Sequence, residues 1–220
     1  MSRNTSKDAA PDASAEPELS GPALSEWNHT VENVMRGIAH ALNNRAAALS
    51  AVLELSRDST DDATSLSSIL RPELQRVQDL AKVVRTIGFP RAGMEAFAPP
   101  DAAEEAIEVL RMSAELRDRT ITIDALRASP TRVPRWMYVR SLVALGAAGA
   151  RATRDATTLR IAVADDGDWV AARVQGVSAQ SAAPSAYVSE MCRAMGGATL
   201  DTDFGFRVPT LAALRRREGR

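Results

Sequence analysis

Gly37-Ile38-Ala39-His40-Ala41-Leu42-Asn43-Asn44 sets one histidine and two asparagines in an otherwise apolar, alanine-rich segment. Around it, Trp27, Val31, Val34, Ile38, Leu42, Leu49 and Val52 recur at spacings of mostly three and four, which predicts a long helix with one buried stripe. At about 100° per residue, His40 lies roughly 200° from both Ile38 and Leu42, so its imidazole is expected to project away from that stripe. Arg36 falls one turn before His40, Asn44 one turn after, and Ala47 close by. This face offers a cationic donor, an imidazole nucleophile, an amide and an open patch that another protein can approach closely.

A second helix is expected to return beside the first. Arg57-Asp58-Ser59-Thr60-Asp61-Asp62 is polar and helix-poor, which reads as the turn of a helical hairpin. Beyond it Leu66, Ile69, Leu70, Leu74, Val77, Leu80, Val84 and Ile87 keep the helical period, and Pro72 predicts a kink or a late helix start near Arg71. Two helices cannot bury both stripes, so a homodimeric four-helix bundle is the expected solution. Six or eight such side chains per subunit, at about 1.5–3 kcal/mol each before entropy is subtracted, suffice to hold it together.

The pattern changes after Phe89-Pro90-Arg91-Ala92-Gly93. Pro99-Pro100-Asp101 suits a helix start, with Ala106, Ile107, Leu110 and Ala114 as its apolar face. Thr120 to Asp124 alternates as a strand, 134–151 reads as a helix, Leu159 to Val163 as a central strand, and Ser185 to Met195 as a helix. Ala198 to Val208 reads as a hairpin turning near Asp203-Phe204-Gly205. The expected fold class is α+β: a long helical hairpin forming a dimeric four-helix bundle, then an α/β sandwich. The boundaries are a disordered tail 1–24, a hairpin 25–89, a linker 90–98, the sandwich 99–211 and a basic tail 212–220.

The GIAHALNN segment and the alanines after it resemble the phosphoacceptor box of bacterial sensor histidine kinases, roughly His-Glu-x-x-Asn/Thr-Pro-Leu. His40 matches the phosphoacceptor and Asn44 the polar residue one turn on. The order of elements that follows resembles the family's ATP-binding domain, and the resemblance as a whole covers about Glu26 to Leu211. Ala41 stands where the family has the acidic base of autophosphorylation, and a methyl group accepts no proton. Arg45 stands where proline is common.

The resemblance implies lost nucleotide chemistry in the second domain. Ala144 and Ala148 fall where the family carries asparagines, the later one holding magnesium, and alanine offers no oxygen to a hard cation. Asp165 and Gly167 are a vestige of the adenine-contacting motif, with Trp169 in place of a glycine. Around Ala182-Ala183-Pro184-Ser185-Ala186 no glycine-rich phosphate loop follows. No ATP, magnesium or other cofactor is therefore expected. A plain solvated turn at Asp165–Asp168 and a helix stop at Gly196-Gly197 are the simpler readings there.

The 27 basic and 28 acidic side chains give a net charge of −1, which argues against a dedicated nucleic-acid binder. The single cysteine, Cys192, is expected as a buried apolar thiol, and His29, the second of two histidines, as a surface residue with no zinc pattern. The longest apolar run, Leu142 to Ala150, is too short for a bilayer and the N-terminus lacks a signal core, so a cytoplasmic location and no membrane partner are expected. The Arg215-Arg216-Arg217 run reads as a solvated helix end.

Three functions remain open. The first is a homodimeric histidine phosphotransferase of a two-component phosphorelay, without autokinase activity: His40 takes phosphoryl groups from one response-regulator receiver, itself part of an upstream hybrid or sensor kinase, and passes them to another. Arg36, Asn43 and Ala47 would dock the receiver. The second is a receiver phosphatase in which Asn44 orients water. The third is a silent pseudo-kinase that binds a receiver or a kinase.

Overall fold

The computed structural model describes residues 17–58, 63–88, 93–125, 128–178 and 185–219. Residues 59–62 of the turn expected at 57–62, residues 1–16 of the tail expected at 1–24 and the loop centred on Ala182 and Ala183 lie outside them, while Arg57 and Asp58 of that turn are helical. Two long helices come first: α1 (Gly21–Asp58) and α2 (Ala63–Gly88). The apolar stripes predicted both. Their ends and their surroundings differ from expectation in three respects.

First, α1 begins at Gly21 rather than near residue 25, because Ala23 is fully buried against the rest of the chain and Ser20 caps the start, its Oγ accepting from Ala23 N–H at 3.4 Å. Second, Pro72 lies inside α2 and does not delay it. The amphipathic stripe on both sides of the proline carries the helix through, which outweighs one missing N–H. Third, the stripe is covered over only half its length. Val34 and Ile38 on α1, and Leu80 and Ile87 on α2, are buried, whereas Leu42, Ile69 and Leu74 are 41%, 47% and 59% exposed.

The remainder is a helix layer on one face of a five-stranded mixed sheet, so the chain is α+β as expected. α3 (Pro99–Arg111) has Pro99 at its first position and Asp101 in its first turn, both suited to a helix start. Ala114, expected on that helix, falls instead in the short 3-10 turn Ala114–Leu116. β1 (Thr120–Asp124), α4 (Arg135–Ala152) and β2 (Thr158–Asp166) follow, β1 and β2 parallel across the α4 crossover. α4 is buried along nearly its whole length, which accounts for its run of small residues from Ala144 to Ala150.

β3 (Trp169–Ser178) pairs antiparallel with β2 and is the central strand of the order β1-β2-β3-β5-β4. This strand was not anticipated. Its apolar positions are interrupted by Arg173, Gln175 and Gly176, and alternation is visible only once its two faces are known. Val170, Ala172 and Val174 face the helices beside Leu159, Ile161 and Val163 of β2.

α5 (Ala186–Ala194), β4 (Ala198–Thr199), β5 (Asp203–Pro209) and α6 (Leu211–Arg217) complete the chain. The β4–β5 connection lies at residues 200–202, so the turn comes before Asp203 instead of around Gly205. Gly205 lies within β5 because a Cβ there would overlap the Ala172 carbonyl of the neighbouring strand. Arg215, Arg216 and Arg217 form the exposed last turn of α6, where cations are favoured.

Candidate functional site on the histidine helix

His40 is exposed on α1, on the side away from Ile38, which is 2% exposed. Ala41 turns toward the core, and Ala39 and Ala47 are exposed. Asn44 and His40, one turn apart, are joined: Asn44 Nδ2 lies 3.1 Å from His40 Nε2. An amide N–H donates, so in the tautomer that makes this hydrogen bond Nε2 accepts and Nδ1 carries the proton.

The three other residues expected around the histidine are all exposed on the same helix. Arg36 is engaged by Glu32 one turn earlier, Nη2 to Oε1 at 2.8 Å, an exposed i,i+4 pair worth a few tenths of a kcal/mol. Its guanidinium can therefore be recruited by an incoming anion at little expense. Asn43 and Ala47 present an amide and a methyl group.

What holds this helix in place was not legible in the sequence. Gly37 lies against the loop that follows α3, and a Cβ there would overlap the Met112 carbonyl oxygen. The glycine lets two backbones touch one turn before His40. A turn earlier, buried Asn33 donates from Nδ2 to Glu115 Oε1 at 2.8 Å, and His29 Nε2 lies 3.1 Å from the same oxygen. His29 is half-exposed, as expected, yet it belongs to this contact. Beside His40 on the other flank, Ala41, Arg45, Leu80, Val83, Arg111 and Met112 line a cleft of about 300 Å³. Glu73, 9% exposed, holds Arg45 and Arg76 at its rim.

The residues considered for nucleotide binding are engaged otherwise. Asp165 Oδ1 accepts from Ser129 N–H at 2.7 Å and Oδ2 from Ser129 Oγ at 2.8 Å, so its carboxylate anchors the loop before α4. Gly167, at φ 64°, forms the tight turn between β2 and β3, a conformation that favours glycine. Ala144 is 4% exposed within the helix layer and Ala148 half-buried. Among the described residues no group of three or more His, Cys, Asp or Glu side chains is placed to hold a metal ion, and no helix is long and apolar enough to cross a membrane.

No family model matches the chain, and no curated protein is significantly similar to it. Among solved structures it is similar to the Acinetobacter baumannii histidine kinase AdeS, at 17% identity over 78% of this chain and 98% of that one, with a TM-score of 0.41. A histidine kinase from Burkholderia phymatum STM815 aligns at 15% identity over 87% and 98% of the two chains, TM-score 0.38. A bacterial phosphotransferase aligns at 16% identity over 87% and 98%, TM-score 0.39. Likenesses this distant assign no activity to the chain.

Proposed function

We propose that the protein is a histidine phosphotransferase of a two-component phosphorelay and that His40 carries the phosphoryl group between receiver aspartates without ATP. The observation that carries this reading is the exposed imidazole whose Nε2 accepts from Asn44 at 3.1 Å. In the transfer the Asn44 amide turns away from Nε2, and the lone pair so released attacks the phosphorus of an aspartyl phosphate. The N–P bond forms, the P–O bond to the carboxylate breaks, and the aspartate leaves with the electron pair. Nδ1, exposed with the rest of the ring, releases its proton to water. Delivery to a second receiver is the reverse of these steps.

The acidic neighbour needed for autophosphorylation is replaced by Ala41, but a receiver supplies an already activated phosphoryl donor together with its own metal ion and acidic pocket. The bundle contributes placement. Arg36, Asn43 and Ala47 form the surface on which the receiver sits, and Arg36 exchanges Glu32 for the incoming anion. Buried Ala144 and the Asp165 carboxylate held by Ser129 support a sandwich domain without nucleotide or magnesium. The half-covered stripes at Leu42, Ile69 and Leu74 support a homodimer in which the far halves of two hairpins close a four-helix bundle.

In the phosphatase alternative Asn44 orients water with the amide groups that its contact with His40 leaves open. The test is phosphotransfer from a panel of labelled phospho-receivers. Acid-labile, base-stable label is expected on the protein and absent in His40→Gln. Receiver dephosphorylation that survives His40→Gln and is lost in Asn44→Ala would replace this reading with the phosphatase.

A further inference from the structure

α1 and α5 start side by side, and each supplies the carboxylate at the other's beginning. Glu26 of α1 accepts from Ser185 Oγ at 2.7 Å and from the Tyr187 backbone N–H at 3.1 Å. Glu190 of α5 accepts from Ser20 Oγ at 2.6 Å and from the Ser20 backbone N–H at 2.8 Å. Ser185 is the N-cap of α5 and its Oγ also accepts from Val188 N–H at 3.2 Å, while Ser20 caps α1 in the same manner. The start of a helix leaves N–H groups without intrahelical partners and carries partial positive charge, so a carboxylate placed there is favoured on both counts.

Between the two capped starts the rings of Trp27 and Tyr187 stack, centroids 4.7 Å apart and planes at 11°. The Arg140 guanidinium of α4 lies 5.3 Å from the Trp27 ring and 4.9 Å from that of Trp136. α1 is continuous from this junction to His40 and beyond. Separating α1 from α5 would break both caps and the stack together.

We propose that Glu26 and Glu190 form a reciprocal latch that fixes the histidine helix to the sheet domain. The latch deepens the phosphotransfer reading of His40, and its geometry is independent of that reading. It makes the domain a rigid support that presents His40 in one orientation.

The full-length protein is compared with Glu26→Ala and Glu190→Ala by hydrogen exchange and by pulsed electron resonance between spin labels at Ala47→Cys and Arg160→Cys, two exposed positions, with Cys192 buried and unlabelled. Glu26→Ala is expected to speed exchange at the Tyr187 amide about tenfold, and Glu190→Ala to do the same at residues 20–24. The distance distribution should broaden in either variant. Unchanged exchange at both helix starts, or an unchanged narrow distribution in both variants, overturns the latch. Should one variant fail to fold, the other reads the same junction from the opposite helix. None of these readouts involves phosphate on His40, so failure of the latch and failure of the phosphotransfer reading are separable.

Discussion

Replacing Asn44 by aspartate tests the geometry of the site more sharply than removing it. In the native chain the amide donates to His40 Nε2 at 3.1 Å and reserves that nitrogen as the acceptor. An aspartate carboxylate at the same place has no proton to donate, so it favours a ring protonated at Nε2, the nitrogen that must attack. Two unit charges about 3 Å apart attract by about 1.3 kcal/mol even at the dielectric of water, which is close to tenfold in favour of the protonated, non-nucleophilic ring. The sign follows directly: the protonated fraction is largest at low pH and is lost as pH rises, so the defect shrinks with alkalinity. Asn44→Ala removes one exposed hydrogen bond, worth about 0.5–1.5 kcal/mol, that must break before Nε2 attacks, so transfer is expected to stay largely intact and to gain no pH dependence. The assay is single-turnover transfer from a labelled phospho-receiver between pH 6 and 9 at low salt, where screening is weakest. Asn44→Asp is expected to be about five times slower than Asn44→Ala at pH 6.5, with the gap widening toward tenfold at lower pH, and to approach it at pH 9. Equal rates at every pH would refute the assignment of Nε2 as the attacking nitrogen held by Asn44.

Gly37→Ala places a methyl group on the Met112 carbonyl oxygen, and since that atom is backbone, helix or loop must shift. The overpacking is expected to exceed the gain of about 1 kcal/mol in helix propensity, leaving the protein about 1–2 kcal/mol less stable in urea unfolding. If the proposed homodimer forms, Leu74→Glu, at a position 59% exposed in the single chain, converts it to monomer in sedimentation equilibrium without loss of helical circular dichroism. Asp165→Ala removes both bonds to Ser129 and is expected to lower stability by about 1–2 kcal/mol while leaving transfer through His40 intact. Burial pushes the Cys192 thiol well above its ordinary value, so its labelling by a disulfide reagent at pH 8 should follow the rate of opening of the domain and speed up only in destabilising urea.

The helices of the hairpin, α3, β1 and α4 were legible because each carries its signal locally: a stripe of period three to four, a proline pair, an alternation or an apolar run. His40 and Asn44 were legible for the same reason, since residues four apart on a helix meet whatever surrounds them. β3 was not, because a central strand takes its identity from neighbours on both sides, and Arg173, Gln175 and Gly176 conceal its buried face. The contacts that seat α1 were hidden too. Glu26, Glu190, Asn33 and Glu115 look like ordinary helix-surface residues until chain segments some 80 to 170 positions apart are brought together.

The uneven burial of α1 ties these observations to function. A stripe of uniform hydrophobicity runs from Trp27 to Val52, yet its first half is covered by the chain itself and its second half leaves Leu42 41% exposed. Apolar residues at helical spacing on both α1 and α2 are costly to leave in water, at about 25 cal/mol per Å². In the proposed homodimer a second copy would cover them. His40 sits at the boundary, just past the Gly37 contact and at the start of the uncovered half. There the imidazole is held in place from one side and open to a partner from the other, as a group that must receive and surrender a phosphoryl unit requires.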